Sequence, residues 1–209
     1  MAASSGKATE AVKRRYNRIA PVFDLMEVII ERSSFAGWRK LLWSKVEGSR
    51  ILEVGVGTGK SFPYYPANAE ITAIDLSDKM LARARDKAQR QNVPVRLQQM
   101  DVQHLEFEDN TFDSVTASFV FCSVPDPLLG LVEVKRVCKP GGKVVLLEHV
   151  RSDNRFWARF MNLINPLLAR MGGENINRRA VENVARSGLI VENVTRLTSI
   201  FRLIEARKN

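Results

Sequence analysis

Three observations predict a doubly wound α/β sheet. Residues 50–150 alternate short apolar runs with helical patterns. The first run ends in a glycine cluster, Gly55-Val56-Gly57-Thr58-Gly59. The last two runs are separated only by Thr198-Ser199, which marks an antiparallel hairpin on an otherwise parallel sheet.

Residues 1–6 are small and polar and are expected to fray. Ala8, Val12, Tyr16 and Ile19 recur at helical spacing, so Ala8–Ala20 reads as a basic amphipathic helix with Lys13, Arg14, Arg15 and Arg18 elsewhere on the wheel. Pro21 has no amide hydrogen and should end or kink it. Val22–Arg32 and Phe35–Val46 read as two more helices, the second rich in aromatic and cationic residues: Phe35, Trp38, Arg39, Lys40, Trp43 and Lys45. Strands are expected at Arg50–Val54, Glu70–Asp75, Val95–Gln99, Phe112–Ser118 and Lys143–Glu148, the last after a Lys139-Pro140-Gly141-Gly142 turn. Helices are expected at Lys79–Gln91 and Leu128–Cys138.

Asn154–Met171 is helical in pattern and unusually apolar, carrying Phe156, Trp157, Phe160 and Met161. Asn177–Ser187 reads as a helix stopped by Gly188, and Leu189–Leu197 with Ile200–Arg207 as the closing hairpin. A single domain over 1–209 follows: a helical cap at 1–46, then a sheet core at 47–209 with a helical insertion at 150–180.

Composition narrows the function classes. The chain has 209 residues, 45% of them hydrophobic, enough for one sizeable core. Two cysteines, Cys122 and Cys138, cannot build a disulfide framework or a four-cysteine zinc site, and no metal is expected. There is no apolar leader and no run near the roughly 20 residues of a spanning helix. A cytoplasmic protein is expected. The net charge of +9 is unevenly placed. Residues 51–150 hold 11 Lys/Arg against 13 Asp/Glu, whereas residues 1–50 hold 10 against 5 and residues 151–209 hold 11 against 5. The surplus therefore sits on the flanks of a near-neutral centre.

The glycine cluster stands between a strand and what reads as the next helix. Its spacing is G-x-G-x-G, so the third glycine of the dinucleotide fingerprint G-x-G-x-x-G is missing. Asp75 ends the second strand, 20 residues after Gly55, where an acid accepts hydrogen bonds from ribose hydroxyls. The expected ligand has a ribose and needs no pyrophosphate.

Glu53-Val54-Gly55-Val56-Gly57-Thr58-Gly59, a strand ending in Asp75, then Met100-Asp101, then Lys-Pro-Gly-Gly before the fifth strand resemble the class I S-adenosylmethionine-dependent methyltransferases. The resemblance implies a Rossmann-like seven-stranded sheet, mostly parallel with a reversed last strand and preceded by helices. It implies S-adenosylmethionine as cofactor. It places Gly55, Gly57 and Gly59 against the methionine and ribose, with Glu53 holding the loop and reaching the amino group through water. Asp75 would bind the ribose, Leu76 and Met80 would sandwich adenine, and Asp101 with the Val102 backbone would meet the adenine amino group. Ser118 and Phe119 would border the methionine.

The flanks resemble bacterial soluble-type phosphatidylethanolamine N-methyltransferases in Arg15–Asp24, Phe62–Pro66, Leu147–Ser152 and Asn175–Arg178. Phe23 and Ile176 replace the usual Tyr and Trp. The resemblance implies methyl transfer to the amine of phosphatidylethanolamine and its methylated derivatives, with the enzyme peripheral on the inner face of the cell membrane. A basic amphipathic helix suits an anionic bilayer, and large apolar side chains among the cations suit acyl chains better than bases, so no nucleic acid is expected. Tyr16, expected over the cofactor, is a candidate for the amine or the cofactor carboxylate. Glu148 and His149 end the fifth strand, and His149 is the better base because it titrates near neutrality. Arg151 and Arg178 are candidates for the lipid phosphate, and Trp157 for the lipid. Two other readings are a methyltransferase of a quinone precursor or other small hydrophobic acceptor, and a nucleic-acid-binding protein with this fold.

Overall fold

Residues 2–30, 35–150 and 179–209 are described in the computed structural model, with side chains omitted for residues 2–5 and 22–30. The expected apolar runs are strands: β1 (Arg50–Val54), β2 (Glu70–Asp75), β3 (Val95–Gln99), β4 (Phe112–Ser118), β5 (Cys138–His149), β6 (Ile190–Arg196) and β7 (Phe201–Arg207). They form one sheet in the order β3-β2-β1-β4-β5-β7-β6. The first five strands are mutually parallel, and β7 runs antiparallel to both β5 and β6. The chain builds outward from β1 through β2 to β3, then returns to the other side of β1 with β4. That reversal opens a crevice at the carboxyl ends of β1 and β4.

Helices cover both faces because the central strands are apolar on both sides. Ile51, Val145, Leu147 and Leu203 pack with Leu42 and Trp43 of α2 (Ala36–Trp43). Ala73 packs with Leu81, Ala84 and Ala88 of α3 (Asp78–Gln91). Leu52, Val115, Val144 and Leu146 pack with Leu131 and Val134 of α4 (Pro127–Val137) and Val184 of α5 (Ala180–Arg186). Two helix starts are written in the sequence. The Ser77 hydroxyl accepts the Met80 N–H at 3.1 Å, and the Asp126 carboxylate accepts those of Leu128 and Leu129 at 3.1 and 3.0 Å.

Several boundaries differ from expectation. Helix α1 (Ala2–Ile30) begins earlier than Ala8 and passes through Pro21 without ending. Pro21 is exposed, so its ring has room, and the Arg83 guanidinium donates to its carbonyl at 3.2 Å. The Lys-Pro-Gly-Gly segment is a bulge inside β5, not a turn before it. The backbone N–H of Gly141 donates to Lys208 at 2.8 Å and that of Lys208 to Gly142 at 3.1 Å, which carries the ladder through the bulge. No α-helix follows the glycine cluster. One 3-10 turn, Phe62–Tyr64, fills the gap, because Pro63 and Pro66 interrupt any longer ladder. The expected helix at 154–171, most of the 150–180 insertion and residues 177–178 lie outside the described residues. No described helix is long and apolar enough to cross a membrane.

Candidate active site

A cavity of about 610 Å³ opens at the β1–β4 crevice. Its floor is the glycine loop. Gly55 and Val56 donate backbone N–H groups to Ile74 at 2.8 and 3.0 Å, which ties the loop to β2. Gly57 has φ +56 and donates its N–H to Asp75 Oδ2 at 2.8 Å. That left-handed conformation is what glycine tolerates without strain. Gly59 does not line the cavity. Its missing Cβ makes room for the Phe62 ring, which would lie 2.4 Å from it, so it seats the 3-10 turn beneath the loop.

Asp75 joins the floor to one wall. Its other oxygen accepts the Ser77 N–H at 2.8 Å. Burial pushes its carboxyl up to about 6, outweighing the backbone N–H groups of Ser77, Gly57 and Leu76. Leu76, Met80, Met100 and Val102 supply apolar surface beside it. Asp101 lies at the rim of this wall. It accepts the Gln103 backbone N–H at 2.9 Å and the Gln103 side-chain amide at 3.0 and 3.1 Å.

Glu53 faces the cavity from β1 and is buried. Burial pushes its carboxyl up, while the hydroxyls of Ser61 and Tyr65 hold it back. Tyr65 donates to Glu53 Oε2, and its own hydroxyl is pushed well up, first by burial and then by that carboxylate.

Helix α1 roofs the cavity. Val12, Tyr16 and Ile19 point into it, whereas Ala8, Arg14 and Arg18 face outward and are exposed. Polar contacts fasten the roof. The Tyr16 hydroxyl and Ser123 Oγ are 2.7 Å apart, and the Thr9 hydroxyl donates to Asp101 Oδ2 at 3.3 Å. Asn17 accepts from the Ser77 hydroxyl at 2.6 Å and donates to Asp78 at 2.8 Å.

The far wall is the carboxyl ends of β4 and β5. Ser118, Phe119 and His149 line it. The Ser118 hydroxyl is buried and has no hydrogen-bond partner among the described residues. Glu148 belongs elsewhere. It lies behind the wall, and its Oε1 accepts the N–H groups of Val120 and Phe121, both at 3.0 Å. It shapes the loop after β4 and does not reach the cavity, which corrects its expected place among the catalytic groups. Arg151, Trp157 and Arg178 lie outside the described residues.

Several lining residues are not among the expected site residues, Arg39, Phe35 and Phe201 among them. Arg39 and Phe35 read only as members of an aromatic- and cation-rich helix, and Phe201 as part of the closing hairpin. All three line the cavity. A cation at a position of α2 that faces the sheet was the available signal for Arg39. Nothing local marks Phe35 or Phe201, which meet only through the fold.

Comparison with known proteins bears on this geometry. Residues 52–146 match the family described as "Methyltransferase domain". A phosphatidylethanolamine N-methyltransferase of Cereibacter sphaeroides is 42% identical over 146 residues, covering 69% of this chain and 70% of that protein. The chain belongs to the class I S-adenosylmethionine-dependent methyltransferases. Its cofactor is S-adenosylmethionine. This methyltransferase is also 35% identical over 150 residues to a demethylmenaquinone methyltransferase of Renibacterium salmoninarum, covering 70% of the chain and 62% of that protein. Among solved structures, geranyl diphosphate methyltransferase with geranyl diphosphate and sinefungin superposes with TM-score 0.76 at 14% identity, over 97% of this chain and 100% of that one. Phosphoethanolamine N-methyltransferase 2 of Haemonchus contortus, with S-adenosyl-L-methionine, superposes with TM-score 0.64 at 17% identity, over 78% of this chain and 49% of that one. At such identities the structures establish the fold, including the reversed β7.

Proposed function

We propose that this methyltransferase acts on the amine of phosphatidylethanolamine and its methylated derivatives at a membrane surface. The observation that carries this reading is the 42% identity to a phosphatidylethanolamine N-methyltransferase. A second reading, a quinone-precursor acceptor, draws on the 35% identity to a demethylmenaquinone methyltransferase.

The residues present suit the cofactor. Asp75 keeps lone pairs for ribose hydroxyls beside its bonds from the backbone N–H groups of Gly57, Ser77 and Leu76. Leu76, Met80 and Val102 form an apolar slot for adenine, with Asp101 at its rim. Glu53 and the bare backbone of Gly55 and Gly57 receive the methionine end, and Ser118 and Phe119 border it. Gly59 acts beneath the loop. The bound cofactor supplies an electrophilic methyl group on a sulfonium. The chain's work is to align the acceptor, exclude water and remove a proton, since only a neutral amine attacks. His149 is the base in this reading because it lines the cavity. Tyr16 closes the roof over the acceptor.

Contact with the bilayer is electrostatic in this proposal. Val12 and Ile19 of α1 face the cavity, so the outward Lys7, Arg14 and Arg18 meet anionic headgroups, each worth on the order of 1 kcal/mol. Arg151, Arg178 and Trp157 keep their proposed roles toward the lipid.

Methyl transfer decides between the acceptors. The enzyme is incubated with labelled S-adenosylmethionine and vesicles carrying either phosphatidylethanolamine or a demethylated quinone. Label in mono-, di- and trimethylated ethanolamine lipid is expected. Label in the quinone alone would overturn the reading.

A further inference from the structure

Four rings meet at one end of the cavity, each from a different part of the chain. Phe35 precedes α2, Phe119 follows β4, His149 ends β5 and Phe201 begins β7. The Phe201 centroid lies 5.5 Å from that of Phe35, 5.6 Å from Phe119 and 5.2 Å from His149. Phe119 has φ +59, a left-handed conformation rare for a bulky side chain and a mark of functional constraint. Over its ring stands the Arg39 guanidinium, 5.7 Å from the centroid. Arg39 is only 5% exposed. Arginine is almost never this buried without opposite charge nearby. Glu53 supplies some through its carboxylate. A guanidinium nevertheless has five donors in a planar fork and serves more than one acceptor.

A simple packing wall needs no buried cation, and a simple anion site needs no ring cluster. Together they match a ligand with both charges close together. We propose that Arg39 and the rings of Phe35, Phe119 and Phe201 form a subsite for a phosphate–ammonium zwitterion. The guanidinium takes the phosphate, which needs a planar donor fork. The ring faces take the ammonium through their quadrupoles, most strongly when methyl groups have replaced its hydration.

This subsite rests on the amine-acceptor reading and adds a rate effect to it. The amine lone pair forms the new N–C bond while the C–S bonding pair stays on sulfur. Positive charge thereby moves from sulfur to nitrogen. Rings beside the nitrogen stabilise that charge as it develops, more than they stabilise the neutral amine, which lowers the barrier.

A lipid headgroup and free phosphocholine share this chemistry. The test titrates full-length protein saturated with S-adenosylhomocysteine, by calorimetry. Soluble phosphocholine is compared with glycerol phosphate, and vesicles of equal phosphatidylglycerol content are compared with phosphatidylcholine or a neutral glycolipid as the remaining lipid. Phosphocholine should bind about tenfold tighter than glycerol phosphate. F201L should erase most of that preference and leave glycerol phosphate unchanged, whereas R39Q should weaken both phosphates. If F201L does not fold, F35L takes its place. Selective binding of the soluble zwitterion alone supports a soluble acceptor, and of the phosphatidylcholine vesicles alone a lipid headgroup. Equal or absent binding of phosphocholine and glycerol phosphate, with no vesicle preference, overturns the subsite. Methyl transfer to phosphatidylethanolamine without selective binding overturns the subsite and leaves the acceptor reading standing. Selective binding without that transfer does the reverse.

Discussion

At the amino ends of the parallel strands, Asp113 accepts the backbone N–H groups of Ser49 and Arg50 at 2.9 and 2.8 Å and the ammonium of Lys139. At their carboxyl ends, Asp75 accepts the backbone N–H groups of Gly57 and Ser77, with that of Leu76 adding to them, and no cation is among the causes of its shift. The hydrogen bond from Lys139 and those from the backbone bring the Asp113 carboxyl down to about 2, while burial brings that of Asp75 up to about 6. The contrast repeats along each edge. Glu47 is lowered by Lys143 and Arg207 at the amino end, and Glu53 is raised by burial at the carboxyl end. One edge of the sheet pairs its charges and holds the fold. The other leaves charge ready for a ligand, at some loss of stability.

Substitutions that separate binding from folding test this division. D75A should weaken S-adenosylmethionine binding at least about a hundredfold, roughly 2.7 kcal/mol, with no loss of melting temperature, as calorimetry would measure. Unchanged affinity would break the assignment of that edge. D113A should do the opposite. It leaves two backbone donors without their acceptor and should lower unfolding free energy by ~1–3 kcal/mol in urea titration, with cofactor affinity unchanged.

A pH series sharpens the comparison without mutation. The raised pKa of Asp75 means the fold bears its ionisation at neutral pH, a cost relieved as pH falls through about 6. Cofactor binding, which uses the ionised carboxylate, should weaken up to about tenfold per unit below that point. The depressed pKa of Asp113 contributes stability that is full above its unfolded value and lost only as pH falls through about 2. Between pH 7 and 5, affinity should therefore decline while Asp113 still holds its edge. The smallest effect is expected at Glu70, whose pair with Arg50 spans 3.8 Å with both side chains at least half exposed. E70Q should change stability by no more than about 0.5 kcal/mol.

Much of this was legible in the sequence, for identifiable reasons. Strands buried on both faces read as short runs rich in apolar and β-branched residues, and β1, β2 and β4 appear where those runs lie. Asp75 and the glycine loop are neighbours by construction, since both end adjacent parallel strands. Local chemistry that depends on competing neighbours was harder. Pro21 promised a helix end, yet an exposed proline in a long helix is tolerated. Gly59 resembled a cofactor contact until the Phe62 ring occupied its place. Glu148 and His149 are both candidates by sequence, but successive strand residues point to opposite faces, and only His149 lines the cavity. The ring cluster was invisible because Phe35, Phe119 and Phe201 are joined by topology alone.

The position of β7 has a consequence for synthesis. It follows β6 in the chain but lies between β5 and β6 in the sheet. Every described ladder bond of β6 is to β7. A nascent chain that has produced β6 therefore has no edge to receive it, and β5 keeps one side open. Both wait for the next strand to leave the ribosome. Until then the half-built sheet exposes the unpaired β5 edge, with Val144 to Leu147 along it, and that is the interval in which a chaperone has most to protect.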